Sequence, residues 1–355
     1  MKVLLVAKLN TGNTYFDSLY NELAKKNIEV IANENDFWDN NKNFDIIHVH
    51  FLENIFNWNI KDITNDDFKR LKFRLEVLKK TKTKIIITRH NIYPYNLHDK
   101  ILIQKIYNLF YRYTNAMIHL GNYSISEFKK NNEQYNNTLE HTVIKHGNYL
   151  NLNNNISKAT ARSLLNISND RFVFLNFGTF RNLKERNLIL EAFKKLNKSK
   201  KTLLTSSWEI EGSKKTVYSK IRRRIINIDS KYALNNTFVS NDNIQTYLNA
   251  ADVLVVPRLK TLNSGLVYLG LSFGKIIVAP AIGNITEVIE QTNNVLFDPS
   301  NSKSLVSAME KAVSLKGTNL DYQNMVYARD HCSWGDIAQA HVDVYNKIEA
   351  ILNDT

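Results

Sequence analysis

Two stretches hold residue types that could bind and polarise a phosphate. Arg181 and Lys184 stand three residues apart, just beyond the apolar run Arg171–Phe177 and Gly178, where a helical pattern begins. On one side of a strand-to-helix turn they would suit a diphosphate. A guanidinium grips oxygens bidentately and an ammonium acts as a point charge. Helix N-termini ordinarily favour acids, so bases placed there suggest a bound anion rather than two surface cations. The second stretch is Asn263-Ser264-Gly265, ahead of the apolar helical pattern Leu266–Phe273. Asn and Ser cap helices well, Gly265 lets a ligand approach the backbone, and the first amides of a helix form an anion site. Alone, this segment reads first as an ordinary capped helix.

A third group, His48 and His50 in HVH, alternates as on one face of a strand. Histidine binds metals, but no third ligand is evident, and buried strand histidines are the simpler reading. The chain has no GxxxxGK[ST], no GxGxxG after its first apolar run and no HExxH. With a single cysteine, Cys332, neither a disulfide nor a cysteine-built zinc site is expected.

The elements that must position these residues alternate along the chain. Strand-like runs at Lys2–Ala7, Ile28–Ala32, Asp45–His50, Lys84–Thr88, Ala116–Leu120 and Thr142–Lys145 are separated by helical patterns. After the Asn-rich stretch Asn148–Asn155, read as a linker, a second series runs through Arg171–Phe177, Lys201–Thr205, Thr237–Val239, Asp252–Pro257, Lys275–Ala279 and Val295–Phe297. Trp334–Leu352 closes the chain as a long helical pattern. Short apolar strands alternating with helices imply βαβ units and parallel sheets. The chain has 355 residues, enough for two such domains. The expected division is 1–150, 151–333, and a C-terminal helix 334–355 packing back toward the first domain. Ligands in doubly wound sheets sit beyond the carboxyl ends of the strands, where both phosphate candidates fall.

Composition narrows the function classes. A hydrophobic content of 43% argues against wholesale disorder. No apolar run is long enough to span a bilayer and no signal peptide is apparent, so a cytoplasmic location is expected. Lys and Arg number 47 against 34 acids, a net charge of +13, which attracts polyanions. Asp67 to Lys84 holds eight Lys/Arg against two acids, and Lys214 to Arg224 holds six with none. No RNA-binding or zinc-finger signature accompanies that charge, so a nucleic-acid partner is not expected.

Segments spread over nearly the whole chain resemble the GT-B glycosyltransferases, and within them family 4-like enzymes of bacterial capsule and exopolysaccharide assembly. They are NTGNTYFDSLYNEL, DIIHVHFLE, ITRHNIYPYN, VIKHGNY, NFGTFRNLKERNLILEAF and YLNAADVLVVPRLKTLNSGLVYLGLSFGKIIVAP. The resemblance implies an α/β fold of two Rossmann-like, doubly wound parallel-sheet domains facing a central cleft. It implies that Arg181, Lys184, Asn263, Ser264 and Gly265 hold the donor diphosphate, with Gly178 and Glu287 on the donor side. His90 would lie near the donor sugar; Gly12, Asn13 and His146 would face the acceptor, and Glu53 would line the cleft. Many members carry two glutamates eight positions apart around the donor helix. Those positions are Leu262 and Gly270 here, so both carboxylates are missing.

The implied reaction moves a sugar from a UDP- or GDP-linked donor to a saccharide or lipid-linked acceptor, with retention and without cofactor or metal. Leaving-phosphate charge would be stabilised by Arg181, Lys184 and the helix amides. An inverting course would require a base, for which Glu53 and His90 are the candidates. The basic segment 69–84 would dock on an anionic membrane surface. Two alternatives remain: an inactive sugar-nucleotide-binding homologue acting as a scaffold, and a sugar-nucleotide epimerase of the same architecture.

Overall fold

A computed structural model describes residues 1–57, 63–93, 99–212, 223, 225–236 and 238–350. The first series of runs forms β1 (Lys2–Val6), β2 (Glu29–Ala32), β3 (Ile46–Val49), β4 (Lys84–Arg89), β5 (Ala116–His119) and β6 (Glu140–Val143). The second forms β7 (Phe172–Asn176), β8 (Lys201–Thr205), β9 (Tyr232–Leu234), β10 (Val253–Val255), β11 (Ile276–Pro280) and β12 (Val295–Phe297). Every pairing among them is parallel. Helices cover both faces, so the central strands read as unbroken apolar runs such as Val3–Val6 and Val173–Leu175, all fully buried.

The strand orders are β2-β1-β3-β4-β5-β6 and β12-β11-β10-β7-β8-β9. The first reverses direction between β1 and β3, as in flavodoxin-like sheets. The second reverses between β7 and β10, the Rossmann order. Such switch points open crevices beyond the strand ends, and the loops flanking them are the natural ligand sites.

Contacts divide the chain into one unit of residues 1–147 with the segment from Ser333 onward, and a second of residues 148–332. In the first unit the helix Trp334–Ala350 lays Ile337, Val342, Tyr345 and Ile348 into a core with Val3, Leu5 and Leu19. Each such aliphatic burial contributes about 1.5–3 kcal/mol. The helix enters tightly: a Cβ on Gly147 would lie 2.2 Å from the Trp334 ring, so only glycine fits there.

Three expectations shift. β6 lies two residues before the expected Thr142–Lys145, and β9 lies at Tyr232–Leu234 rather than Thr237–Val239. Of that second run, Thr237 lies outside the described residues, and Phe238 is 95% exposed. Both are edge strands, only partly buried, so their apolar signal is weak. The Asn-rich stretch is no free linker. Asn148 donates to the Ala328 carbonyl at 3.0 Å, the Tyr149 amide to Ser272 Oγ at 2.9 Å, and the Asn155 amide to Gln245 Oε1 at 2.9 Å.

Candidate functional site

In the second unit, the loops after β7 and β10 flank the switch point, and their residues converge. Gly178 has φ +84°, open space where a Cβ would lie, and an amide that donates to Ser206 Oγ at 2.8 Å. The chain thereby turns from β7 into the helix Leu183–Lys195, which Asn182 caps by accepting from the Glu185 amide. Arg181 Nη1 donates to the Lys260 carbonyl at 2.8 Å, tying it to the loop that leads to Asn263. Lys184 is exposed in the first helical turn.

Beneath them lies a carboxylate that the sequence reading left out. Glu185, fully buried, accepts from the Arg181 amide at 2.9 Å and from Arg258 Nη1 at 2.7 Å. Arg258 also donates to the Thr179 carbonyl at 3.2 Å, so one ion pair clasps both phosphate-candidate loops. A legible signal existed: Asn182 and Glu185 have the spacing of a capping box.

The Asn263-Ser264-Gly265 segment opens the helix Gly265–Ser272, and Ser264 makes no side-chain cap. Amides left uncapped at a helix start carry partial positive charge and suit an anion. Asn263 Oδ1 accepts from Asn284 Nδ2 at 2.7 Å, and the Asn284 amide donates to the Leu262 carbonyl at 2.9 Å. The close approach requires Gly283, where a Cβ would lie 2.5 Å from the Leu262 carbonyl oxygen. Glu287 follows in the first turn of the helix Ile285–Gln291, partly buried. At the two positions lacking glutamate, Leu262 is buried, and a Cβ on Gly270 would press on Leu254 at 2.8 Å. Both positions serve packing here.

In the first unit, the loops after β1, β3 and β4 gather a buried aromatic cluster. His90 stacks on Phe51 at 4.4 Å, and its Nε2 lies 3.1 Å from His50 Nδ1. Burial, with help from His146 and His341, lowers its pKa to about 3. Glu53 is buried with Tyr107 Oη donating to it at 3.4 Å, and burial pushes its pKa up. His90 and Glu53 line a common cavity of about 10 Å³, no larger than one water. His146 Nδ1 pairs with the Gly147 carbonyl at 2.7 Å, and burial lowers its pKa to about 4. Tyr15 joins them: its ring meets those of His50, His90, His146 and Trp334 edge-on at 5.0–5.5 Å.

Asn13 proves to be a helix cap, accepting from the Tyr15 amide at 3.1 Å, beside Gly12 at φ +85°. It also lines an open cavity of about 480 Å³ with Lys8, Thr11 and Glu34. The HVH histidines acquire a neighbour invisible in the sequence. His341, on the helix Trp334–Ala350, brings a third imidazole whose ligand atom lies within 4.8 Å of theirs. His48 spends both nitrogens on hydroxyls, Tyr345 at 2.7 Å and Thr88 at 2.8 Å. Tyr345 lies 297 residues from His48 along the chain, so only contact in the folded chain announces it or His341.

Of the basic segment, Lys69, Arg70, Lys72, Lys79, Lys80 and Lys82 are exposed, whereas Arg74 is buried. Its Nη1 donates to Asn40 at 2.6 Å, a structural use rather than a surface charge. In the other basic run, Lys214–Arg224, only Arg223 lies within the described residues.

Comparison with known proteins agrees with this fold. Residues 171–314 match the family of glycosyl transferases group 1. No curated protein matches the chain. Among solved structures, HepE of Anabaena in complex with UDP superposes with a TM-score of 0.72 at 14% identity, covering 98% of this chain and 99% of that one. Sucrose-phosphate synthase from Thermosynechococcus elongatus gives 0.70 at 14%, covering 99% and 100%. A glycosyltransferase from Rickettsia africae gives 0.66 at 16%, covering 98% of each. The chain thus has the GT-B fold of two Rossmann-like sheets, and its residues 171–314 match the glycosyl transferases group 1 model.

Proposed function

We propose that the chain transfers a sugar from a nucleotide-diphosphate donor to the hydroxyl of a saccharide or lipid-linked acceptor in surface polysaccharide synthesis. The observation that carries this reading is the joining of Arg181 to the loop that opens an uncapped helix, at the switch point of the second sheet. Cleaving the anomeric C–O bond places negative charge on the departing phosphate. Arg181, Lys184 and the amides at Ser264–Gly265 would meet that charge as it develops, which lowers the barrier more than it stabilises bound donor. Glu185 and Arg258 hold the two loops in register, so the cations need not reorganise during reaction.

In a retaining course, the leaving phosphate itself takes the acceptor proton, and no step passes through a metal. In an inverting course a base is needed. Glu53 gains basicity from the burial that raises its pKa, whereas His90, lowered to about 3, resists the proton and is the weaker candidate. HepE has been solved with UDP and with UDP-glucose, which makes UDP-linked sugars the first donors to test here. The exposed cations of the helix Asn65–Lys80, with Phe73 61% exposed among them, would attract an anionic leaflet at about 1 kcal/mol each. Salt-sensitive flotation with anionic vesicles is the expected result, and its absence removes that part of the reading.

A thermal-shift screen of UDP- and GDP-linked sugars tests the donor. A ligand at one hundred times its Kd adds about 2.7 kcal/mol to stability. Arg181→Ala combined with Lys184→Ala should erase that gain, and Arg181→Ala alone should slow transfer roughly 100- to 1,000-fold. A shift untouched by the double variant would mean the phosphate is held elsewhere. Donor binding without turnover over a broad acceptor panel would favour a scaffold role, in keeping with the buried Leu262 and Gly270.

A further inference from the structure

At the other end of the second sheet, before β10 and β11 begin, lies a polar cavity of about 250 Å³. Lys158, Lys275 and Lys316 line it, together with Asp252, Asp321 and Asn249. Asp252 is already satisfied. Its Oδ1 meets Lys158 and, at 3.5 Å, Lys316, and its Oδ2 takes Arg162 Nη2 and the Val173 amide at 2.8 Å each. Lys275 is different: its ammonium makes no hydrogen bond or ion pair among the described residues. Four cations therefore surround two carboxylates, one of which, Asp321, is exposed. The local surplus is two positive charges in a partly closed space.

We propose that this cavity is an anion site, separate from the diphosphate site, that takes a small phosphate-bearing dianion with Lys275 as its central contact. Phosphate chemistry fits on three grounds. The surplus matches a dianion's charge, three ammonium groups can each donate to a different oxygen, and Asn249 adds a neutral amide to the wall. Lys275 is only partly exposed and forms no ion pair with Asp252 or Asp321, so its charge is poorly compensated. Burial, with Lys158 and Lys316 nearby, lowers its pKa to about 8. An anion there would restore the charged form and recover the lost interaction. The site sits at the strands' amino ends, whereas Gly178, Arg181 and Asn263 follow their carboxyl ends. At about 3.3 Å per residue, strands of three to five residues keep the two apart by roughly 10–17 Å.

Acetic anhydride labelling of the intact wild-type chain at pH 8, resolved by peptide mass spectrometry, tests this without a variant. With its lowered pKa, Lys275 should react readily where reagent reaches it. Inorganic phosphate at ten times its Kd should slow that reaction about tenfold, while the exposed Lys303 stays unaffected. Running glycerol phosphate alongside distinguishes a monoester from free phosphate by which protects at lower concentration. Phosphate-induced thermal stabilisation should survive in Arg181→Ala and disappear in Lys275→Met. Equal labelling of Lys275 with and without either anion overturns the proposal, as does stabilisation that persists in Lys275→Met. Protection at Lys184 reports the diphosphate site separately, so the two readings stand or fall independently.

Discussion

The two switch points share an architecture and differ in chemistry. Around β1 and β3, the chain buries imidazoles: His48, His50, His90 and His341 pack ring against ring, Tyr15 meets His50 and His90, and burial keeps the four neutral. Beyond β7 and β10, it places cations over a buried carboxylate and leaves a helix start uncapped. One parallel-sheet plan thus yields a dry, uncharged surface in one unit and an electropositive, solvated one in the other. The difference lies mostly in the loops, with His48 on β3 and His341 on the closing helix adding to the first. The sheets set where loops emerge, and loop residues decide what a ligand meets.

The contrast is easiest to break with acid. Folding holds His90 near pKa 3 and His146 and His341 near 4, below the ordinary 6.5. Below pH 6.5 the unfolded chain binds protons that the folded first unit refuses. Stability is therefore complete above 6.5 and falls on acidification, by roughly 1.4 kcal/mol per pH unit for each such histidine until about pH 4. Hydrogen exchange should lose protection first in β1, β3 and β4. Simultaneous loss in both sheets would show that the imidazole cluster is not the weak point.

The second unit should fail by a different route. Glu185→Ala strands Arg258 without its partner, and breaking a buried pair costs about 3–5 kcal/mol. Urea unfolding would read this as a lowered midpoint, and donor binding should weaken because the Arg181 amide loses its acceptor too. A midpoint within experimental scatter of wild type would mean the clasp is not structural. The smallest effect sharpens the picture of the first unit. Asn13→Ala removes a helix cap and should cost about 1 kcal/mol. If the residue also touches an acceptor, KM for acceptor rises with it; a stability loss alone leaves Asn13 as a cap.

Much of this could be read directly from residue order. Apolar runs alternating with helical periods gave both parallel sheets, because parallel strands buried on two faces carry a continuous apolar signal. It failed at the edges, where β6 and β9 are half-exposed and the signal thins. Arg181 and Lys184 draw attention in the sequence because positive charge at a strand-to-helix turn runs against the helix dipole. Sequence separation hid the rest. The Glu185–Arg258 pair spans 73 residues, and His341 and Tyr345 reach the HVH strand from the far end of the chain. Composition and periodicity settle which segments pair and which faces are buried, since those follow from local hydrophobic pattern. Which polar side chains meet depends on how loops from distant strands close over a switch point. Only the folded chain decides that, because it is contact in space that satisfies a buried charge.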